Sequence, residues 1–504
     1  MEIIHILIFL FIIREIKNLL FWEYLWQLKN YHIGRFLAHF STSKGKKLLI
    51  NPLIKIIILA LTLLEFNLFY LLLLIYLIES LDIIRKKIIL PQKTSKTIFL
   101  SILIFFVFAS FILFLINIDP FSTFLLILIF DILTPVIVSL IVLLFQPITV
   151  FLRNRIIKKA IKKRKTLNNL LVIGITGSYG KSSTKEYLRT ILENDFKVIA
   201  TTKNENSEIG ISRCILNEIN EDHEIFICEM GAYNRGGIKL LTKIAMPKIG
   251  VLTGINNQHL ATFGSQKNII KAKFELIDAL PPEGLAVLNW SNNYIKENFN
   301  SEIANIKYCG DDLWVEEVKD DSFKLCSPKG CDEIKHKIKG SFNIPNLLAA
   351  IAVAKKLGMT IEEIQDRILK IEGGLNIKKS GEFDIIDATY SSNFNGIISH
   401  LNYLKKWKGS KIIVMPCLIE LGKDAKTTHY EIGRKIGEVC DLAVITTNDY
   451  KKEILRGANY YGMKNIIFTD NAEKIYNQIK LYSKNDSVIL LESRVPNKLI
   501  KKYE

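Results

Sequence analysis

The sequence predicts two α/β domains with parallel sheets, preceded by an all-α bundle of transmembrane helices. Residues 1–150 are dominated by Ile, Leu and Phe, whereas residues 151–504 have the mixed composition of a water-soluble protein. After residue 170 short apolar runs alternate with helical stretches, and one run leads through a glycine-rich turn into a helix. We therefore divide the chain into a membrane domain (1–150), a basic linker helix (151–169), a central domain (170–372) and a C-terminal domain (373–504).

Apolar segments in the first 150 residues are long enough to cross a bilayer. Residues 97–116 carry no charge and match the roughly 20 residues that a spanning helix needs. The first 13 residues lack a basic region and a cleavage site, so we expect no removable signal peptide. We predict five spans with the N-terminus outside. They lie at about 2–24, 48–64, 66–84, 97–117 and 121–146.

Residues 48–84 are compatible with one long helix or with a hairpin of two short helices. One helix would bury Glu65 near the middle of the bilayer, at a cost of about 3 kcal/mol. A hairpin that turns at residues 65–67 places the basic segments on either side of it in the cytoplasm. These segments contain Lys44, Lys46 and Lys47 before the hairpin, and Arg85, Lys86, Lys87, Lys93 and Lys96 after it. The hairpin gives five spans and the long helix four.

Asp131 interrupts the last predicted span near its middle. An acidic residue at that depth is a functional candidate because burying its charge in lipid is costly. The sequence shows no partner for it, so its role stays open.

The linker between the last span and the central domain is strongly basic. Residues 153–165 contain eight Lys or Arg residues, among which Ile156, Ile157, Ala160 and Ile161 recur at helical spacing. This pattern predicts a juxtamembrane helix that rests on anionic lipid headgroups. The net charge of +17 is also compatible with nucleic acid, but no aromatic interleaving or recognition motif supports that alternative.

The seven cysteines all follow residue 200 and show no CxxC pair or zinc-like spacing with histidine. This distribution predicts free thiols in a reducing compartment. Cys326 and Cys331 are close enough in sequence to pair, but we expect two unrelated thiols.

The glycine-rich turn predicts a phosphate-binding loop. It follows an apolar strand at 170–175, precedes a helix at 184–193, and so aims backbone N–H groups and a helix dipole at an anion. Lys181 would contact the outer phosphates, and the Ser182 hydroxyl would ligate Mg²⁺. The fit is partial because Ile175 stands where the eight-residue pattern has glycine, and the alternative is an ordinary Gly/Ser turn.

Two polar residues follow neighbouring strands of the predicted parallel sheet. Glu229 comes after the strand at 224–228, and His259 comes after the strand at 249–253. Ligands in such sheets bind at the carboxyl ends of strands. A carboxylate and an imidazole there suit a metal site beside the phosphate loop, although each alone is more often a surface or capping residue.

Several motifs of the soluble part follow the order that they have in one known family. The phosphate loop matches T-G-x-x-G-K-[ST]-[ST]. Further matches lie at 201–210 (through Asn204 and Asn206), 229–232, 259–265, 271–273, 340–346 and 419–422 with His429. From about residue 170 onward the chain thus resembles the Mur ligases, ATP-dependent amide-forming enzymes of cell-wall precursor synthesis. It is most similar to the branch that joins D-alanyl-D-alanine to a UDP-N-acetylmuramoyl-tripeptide.

The resemblance implies a P-loop-containing Mur ligase central domain and a Rossmann-like C-terminal domain that closes over ATP. The implied catalytic residues are Lys181, His259 and Lys273. The implied nucleotide-binding residues are Thr176, Gly177, Ser178, Gly180, Lys181, Ser182, Ser183 and Asn346, the last at adenine. Ser182 and Glu229 would hold one Mg²⁺, and His259 with a carbamylated Lys273 would support a second. An unmodified Lys273 offers only hydrogen-bond donors and so could not bind a cation. The alternative interpretation of Lys273 is an ordinary solvated lysine on a helix.

The family's chemistry needs positioning and charge neutralisation more than covalent catalysis. A carboxylate of the acceptor takes the γ-phosphoryl group from ATP, which gives an acyl phosphate. An amine then attacks the carbonyl carbon, phosphate leaves, and an amide bond forms. The partners implied are a nucleotide-linked or lipid-linked peptide acceptor and an amino acid or dipeptide that supplies the amine.

This sequence departs from the family pattern in several places. An expected Arg is missing near 373–375, Ala388 replaces a second acid expected near the ribose, and residues 491–494 differ from K-G-S-R. The predicted spans occupy the place of the family's soluble UDP-sugar-binding domain. The spans therefore either localise an enzyme with a UDP-linked acceptor or present a lipid-linked acceptor. A third hypothesis is a membrane scaffold with a degenerate nucleotide-binding domain.

Overall fold

The chain folds into two compact units, Met1–Asn154 and Arg155–Glu504. A computed structural model describes residues 2–40, 42–64, 66, 68–85, 88–202, 205–380, 383–389, 393–483 and 486–503.

The first unit is entirely helical in its described part. Its helices are α1 (Glu2–Leu28), α2 (Ile33–His39), α3 (Ser43–Lys47), α4 (Ile50–Leu63), α5 (Phe69–Arg85), α6 (Ser95–Leu115) and α7 (Pro120–Leu144), and α8 (Gln146–Thr166) continues into the second unit. Thr94 caps α6, and Asp119 caps α7 directly before Pro120. Helix α1 packs against α5, α6 and α7.

Among the described residues, two helical segments are long and apolar enough to cross a membrane, judged by length and composition. They are α6 and the segment Pro120–Thr166, which contains α7 and α8. They coincide with the last two predicted spans, and the other three spans stay predictions. Large apolar side chains such as Ile102, Phe106 and Leu140 are exposed on these helices.

Residues 48–84 form two helices rather than one. The Asn51 amide in α4 donates to the Glu79 carboxylate in α5 over 3.0 Å, although the two residues are 28 positions apart. On one continuous helix that separation would be about 42 Å. The described helices therefore have the hairpin arrangement. Glu65, Asn67, Lys86 and Lys87 of the predicted loops lie outside the described residues.

Asp131 has three polar partners, which the sequence did not reveal. Its carboxylate lies 2.5 Å from the Arg14 guanidinium and 2.8 Å from the Lys55 ammonium. The Tyr76 hydroxyl donates to it over 2.8 Å. The partners come from α1, α4 and α5, so only the tertiary arrangement of the helices brings them together.

Two further carboxylates complete this buried ionic cluster. Arg14 also contacts Glu15 at 2.8 Å and pairs with Glu79, and Lys55 lies 3.3 Å from Glu79. We define the ionic cluster as Arg14, Glu15, Lys55, Glu79 and Asp131. When all five groups are ionised, three negative charges face two positive ones. The cluster holds α1, α4, α5 and α7 together.

The second unit begins with the C-terminal half of α8, which docks onto the central domain. Ile157 and Ala160 lie in the domain's apolar core. The buried Arg164 donates to the carbonyl oxygens of Ala245, Leu167 and Leu170. The apolar face of this helix therefore packs on protein, and the predicted contact of its basic residues with anionic headgroups stays a prediction.

The central domain contains a parallel sheet, as predicted, whose six described strands have the order β2-β3-β1-β4-β5-β6. The strands are β1 (Leu171–Thr176), β2 (Val198–Ala200), β3 (Ile225–Glu229), β4 (Ile249–Leu252), β5 (Leu285–Asn289) and β6 (Ala304–Tyr308). The helices are α9 (Lys181–Leu192), α10 (Glu208–Asn217), α11 (Gly237–Ala245), α12 (Leu260–Phe263), α13 (Gln266–Phe274), α14 (Asn293–Asn298), α15 (Ile344–Lys356) and α16 (Ile361–Ile368). Strand β1 is internal and covered on both faces, which explains its continuous apolar run.

A small antiparallel sheet in the central domain was not predicted. It consists of β7 (Trp314–Glu316), β8 (Ser322–Ser327) and β9 (Gly330–Lys335). Cys326 on β8 lies directly opposite Cys331 on β9, and the two form a disulfide. The expectation of two unrelated thiols is wrong because the hairpin register makes them cross-strand neighbours. The other five cysteines are free, as expected.

The C-terminal domain is a second α/β layer structure with the described strand order β10-β11-β15-β12-β13-β14. Only β10 runs antiparallel to its neighbour. The strands are β10 (Asn376–Ser380), β11 (Phe383–Ala388), β12 (Lys411–Met415), β13 (Leu442–Ile445), β14 (Ile466–Phe468) and β15 (Ser487–Glu492). The helices are α17 (Phe394–Leu404), α18 (Ala425–Val439), α19 (Lys451–Asn459), α20 (Ala472–Tyr482) and α21 (Asn497–Ile500).

Candidate active site

The turn between β1 and α9 has the geometry of an anion cradle. Gly177 and Gly180 have φ angles of +155° and +80°. A Cβ on Gly177 would lie 2.1 Å from the Thr253 hydroxyl, and one on Gly180 would lie 2.3 Å from the Asn346 amide oxygen. Glycine is therefore required at both positions. The contact also brings Asn346, at the start of α15, against the loop.

The remaining loop residues are anchored to neighbouring strand ends. The Thr176 hydroxyl donates to the Met230 carbonyl over 2.9 Å. Ser178 donates its backbone N–H to the Gly254 carbonyl over 2.7 Å. Ser183 lies in the first turn of α9 and is half-buried. These bonds fix the loop before any ligand arrives.

Lys181 opens α9, and its ammonium folds back to donate to the Gly177 carbonyl over 2.8 Å. Burial lowers the pKa of Lys181, and the charge of Glu229 raises it in part. The ammonium thus lies over the loop and within electrostatic reach of the carboxylate at the end of β3.

Glu229 and Ser182 place oxygen atoms together at the mouth of the loop. The Ser182 hydroxyl donates to one carboxylate oxygen of Glu229 over 2.9 Å, and the Asn206 amide donates to the other over 3.0 Å. Glu229 is only 4% exposed. Magnesium prefers such oxygen ligands, so this donor set fits the cation that the resemblance implies. Asn204 of the same family motif lies outside the described residues.

Lys185 is a functional candidate that sequence reasoning missed. Its ammonium is 1% exposed, donates to the Thr201 carbonyl over 2.6 Å and lies 3.8 Å from the Glu229 carboxylate. Its position four residues after Lys181 on α9 is a signal that the sequence offered, because residues at this spacing are neighbours on a helix. Lys185 orients Glu229 from behind, so it is a positioning residue.

We expect Lys185→Met to weaken Mg²⁺ binding by about 10- to 100-fold, the usual effect of losing an outer partner of a metal ligand. The loss should appear in the Mg²⁺ dependence of nucleotide binding, measured by titration, more than in the affinity at saturating Mg²⁺. Arg189→Met, on the exposed side of the same helix, is the matched control. An unchanged Mg²⁺ dependence in Lys185→Met would remove this role.

His259 is held by the C-terminal domain. Its Nδ1 lies 2.6 Å from a carboxylate oxygen of Glu420, and its ring packs edge-on against Tyr233. Burial lowers the pKa of His259, Glu420 opposes this, and the charges of Lys273 and Lys181 lower it further. A neutral ring that donates from Nδ1 to Glu420 leaves the Nε2 lone pair available to a metal.

Lys273 is buried, with 4% of its surface exposed, so the alternative of a solvated helix lysine does not hold. Burial lowers its pKa to about 7, with a further contribution from the charge of Lys181. A substantial fraction of the amine is therefore uncharged at neutral pH. An uncharged amine can react with CO₂ to form a carbamate, which has the oxygen ligands that the ammonium lacks.

The charges of Lys181 and Glu229 connect the predicted catalytic and metal residues electrostatically. The charge of Glu229 raises the pKa of Lys181, and the charge of Lys181 lowers the pKa of both His259 and Lys273. Within the described part of the chain no hydrogen bond joins His259 directly to Glu229. The predicted metal residues thus form two groups, Ser182 with Glu229 and His259 with Lys273, and Lys181 interacts electrostatically with members of both.

The C-terminal domain contributes residues to the edge of the candidate site. Besides the contact of Glu420 with His259, Asp424 accepts a hydrogen bond from the Asn257 amide over 2.6 Å. His429 receives the Leu418 backbone N–H on Nε2 over 3.0 Å, which fixes the start of the loop that carries Glu420. His429 therefore has a structural role in this arrangement.

Three departures from the family's sequence motifs, at 373–375, at Ala388 and at 491–494, lie in the C-terminal domain. Ala388 ends β11 and pairs in register with Glu492 on β15, whose buried carboxylate lies 2.6 Å from the His400 ring. Burial raises the pKa of Glu492, and His400 lowers it in part. Tyr390, Ser391 and Ser392, in the segment after Ala388, lie outside the described residues.

Comparison with known proteins identifies the family of the two α/β domains. Residues 175–354 match the family model "Mur ligase middle domain", and residues 375–494 match "Mur ligase, glutamate ligase domain". A UDP-N-acetylmuramoyl-tripeptide--D-alanyl-D-alanine ligase from Synechocystis is 31% identical over 59% of this chain and 66% of its own length. One from Buchnera aphidicola (subspecies Baizongia pistaciae) is 30% identical, with 59% and 68% covered. The chain spans about two thirds of the length of these curated relatives.

Solved structures share the fold. MurF from Acinetobacter baumannii superposes with a TM-score of 0.64 at 25% identity, over 70% of this chain and 80% of that one. MurF from Thermotoga maritima, solved with ADP, gives a TM-score of 0.62 at 24% identity, over 70% and 83%. The sheets, the phosphate loop and these matches together define a class of ligase fold. The chain belongs to the Mur ligase family.

Proposed function

We propose that this protein is an ATP- and Mg²⁺-dependent ligase of peptidoglycan precursor synthesis that adds D-alanyl-D-alanine to a UDP-N-acetylmuramoyl-peptide. The observation that carries the proposal is the phosphate loop with the Ser182–Glu229 oxygen pair at its mouth. The buried Lys273, whose pKa is lowered to about 7 by burial and by the charge of Lys181, supports it. The names of the relatives at 30% and 31% identity support the choice of substrates.

In this proposal the chain's own residues bind the nucleotide and the metal ions, orient them and neutralise the charge of the phosphates. Backbone N–H groups of the loop and Lys181 hold the phosphates, and Asn346 borders the same pocket. Ser182 and Glu229 would hold one Mg²⁺, while His259 Nε2 and carbamylated Lys273 would hold a second. ATP and Mg²⁺ supply the activated phosphoryl group and its charge neutralisation. Glu420 keeps the His259 ring in the tautomer that leaves Nε2 free.

The direct test is a ligation assay on the purified chain with ATP, UDP-N-acetylmuramoyl-tripeptide and D-alanyl-D-alanine. We expect amide product and ADP in equal amounts, and no product from Lys181→Ala. A scan of single amino acids in place of the dipeptide tests the identity of the amine. ATP hydrolysis at the same rate with and without the acceptor, together with no product from any amine, would favour the scaffold alternative.

We also propose that the N-terminal unit anchors the enzyme in the cell membrane as a multi-pass segment, with the ligase domains in the cytoplasm. The two apolar helices and the exposed apolar side chains of α6 and α7 support this. Both family matches begin after residue 174, so the helical unit lies outside them. That observation favours a second candidate, in which the acceptor is a lipid-linked peptide.

Competing the two acceptors in one assay distinguishes these candidates. The enzyme would be reconstituted in a bilayer and given equal concentrations of the UDP-linked and lipid-linked peptides. Preference for the UDP-linked peptide retains the first candidate and removes the second. Faster ligation of the lipid-linked peptide would reverse this conclusion.

Gly180→Ala is expected to weaken ATP binding by at least about tenfold. The new Cβ collides with the Asn346 amide, and the left-handed backbone adds strain of roughly 1–2 kcal/mol. Gly236→Ala is the matched control, because Gly236 precedes α11 with a φ of +81° but has open space around it. If both variants bind ATP equally, measured by calorimetry, the steric argument for the cradle fails.

A further inference from the structure

Helix α8 presents two chemically different faces beyond residue 154. Ile157 and Ala160 are buried against the central domain, and Lys163 donates to the carbonyl oxygens of Leu216 and Ile219 at the end of α10. With Arg164 these contacts fix the rotation of the helix. The opposite face is therefore held outward by the fold.

The outward face is a row of cations. We call it the basic face, and it consists of Arg155, Lys158, Lys159, Lys162 and Lys165, all of them exposed. Helix α8 contains no acidic residue, and no ion pair within the described part of the chain engages these five. Like charges at spacings of three and four residues repel one another and destabilise a helix. A surface that brings anionic charge would remove this repulsion.

The residues that precede the basic face indicate what that surface is. In the first turns of α8, Ile148, Phe151 and Leu152 are apolar and more than half exposed. The same helix thus passes from exposed apolar side chains to exposed cations, and it directly follows the apolar helix α7. This order matches the passage from the bilayer interior to its charged surface. A nucleic-acid surface would not explain the exposed apolar turns.

We propose that the basic face of α8 binds the anionic headgroups of the membrane surface and holds the ligase domains against it. The binding is electrostatic, since the apolar face of this part of the helix is already occupied by protein. This proposal rests on the membrane anchoring proposed above and does not depend on the ligase activity. Each lysine near an anionic leaflet should gain about a fivefold preference for the surface.

Lysine footprinting on the full chain tests the basic face directly. The protein would be placed in nanodiscs of phosphatidylcholine alone or mixed with phosphatidylglycerol, acylated briefly and analysed by mass spectrometry. We expect Lys158 and Lys162 to react about fivefold more slowly with phosphatidylglycerol present. The protection should disappear at high salt, because screening shortens the range of the attraction. Lys355 and Lys356, exposed on α15, are internal controls that should not change.

A charge-reversed pair of variants completes the test. Lys158→Glu/Lys162→Glu should abolish the lipid-dependent protection of Lys159 and Lys165, whereas Lys355→Glu/Lys356→Glu, with the same change in net charge, should retain it. Equal labelling in the two lipid compositions would overturn the proposal. Protection by RNA but not by phosphatidylglycerol would also overturn it, in favour of a nucleic-acid surface. A chain that fails to insert would be footprinted with added vesicles of the same compositions, which separates failure of anchoring from failure of the basic face.

Discussion

Lys273→Ala is expected to reduce amide-bond formation by on the order of a thousandfold, the effect of losing several kcal/mol of charge stabilisation at the reacting phosphoryl group. Alanine has no amine to carbamylate, so the second of the two proposed Mg²⁺ sites would lose a ligand. ATP binding at the phosphate loop should change much less, because the contacts of Lys181 and Ser182 remain. Ligation rate and ATP affinity, measured on the same preparation, separate the two effects.

The same prediction has a pH dependence with a definite sign. With a pKa of about 7, Lys273 is mostly charged at pH 6 and mostly neutral at pH 8, and only the neutral amine reacts with CO₂. Enzyme stripped of CO₂ should therefore regain activity faster at pH 8 than at pH 6 when bicarbonate is added so that both samples hold the same concentration of dissolved CO₂. Lys273→Ala should not respond to bicarbonate at either pH. Full activity in this variant would refute the metal-site assignment.

Lys55→Met is expected to destabilise the N-terminal unit by about 3–5 kcal/mol, the cost of leaving a buried acidic partner uncompensated. Lys55 is 2% exposed and pairs with Asp131 and Glu79. Without it, Arg14 alone faces three carboxylates. The variant should lose its helical circular dichroism in detergent roughly 10 °C below the unmodified protein.

Asp131→Asn is the matched control for charge balance. It removes the carboxylate on which Arg14, Lys55 and Tyr76 converge, yet it leaves two cations facing two anions. We expect a smaller loss than for Lys55→Met, although more polar contacts are disturbed. If Asp131→Asn destabilises the unit more than Lys55→Met does, net charge does not determine how much the ionic cluster contributes to stability.

The sequence predicted the parts of the fold that depend on local pattern. Strand β1, the turn and α9 carry their own signals, since apolar run, glycines and helix start follow one another directly. Strands β1, β3 and β4 were predicted within about one residue at either end for the same reason. The sheet of β7, β8 and β9 was missed because β7 has only three residues and β9 is mostly exposed, so the apolar alternation is weak in both.

Residues that act across long sequence distances were the hardest to predict. Glu420 was identified only as part of a motif, and its bond to His259, 161 positions away, depends on how two domains meet. The partners of Asp131 were invisible for the same reason, because four helices must assemble before the charges meet. Burial separated Lys273 from an ordinary lysine, and burial is a property of the fold rather than of residue spacing.

The bond between Glu420 and His259 has a consequence for fidelity. One partner belongs to the nucleotide-binding domain and the other to its C-terminal neighbour, so any hinge opening between them would release the imidazole from its orienting carboxylate. An open enzyme would then hold its nucleotide beside an incomplete set of ligands. Unproductive hydrolysis of ATP would therefore be suppressed until both domains had closed around the substrates.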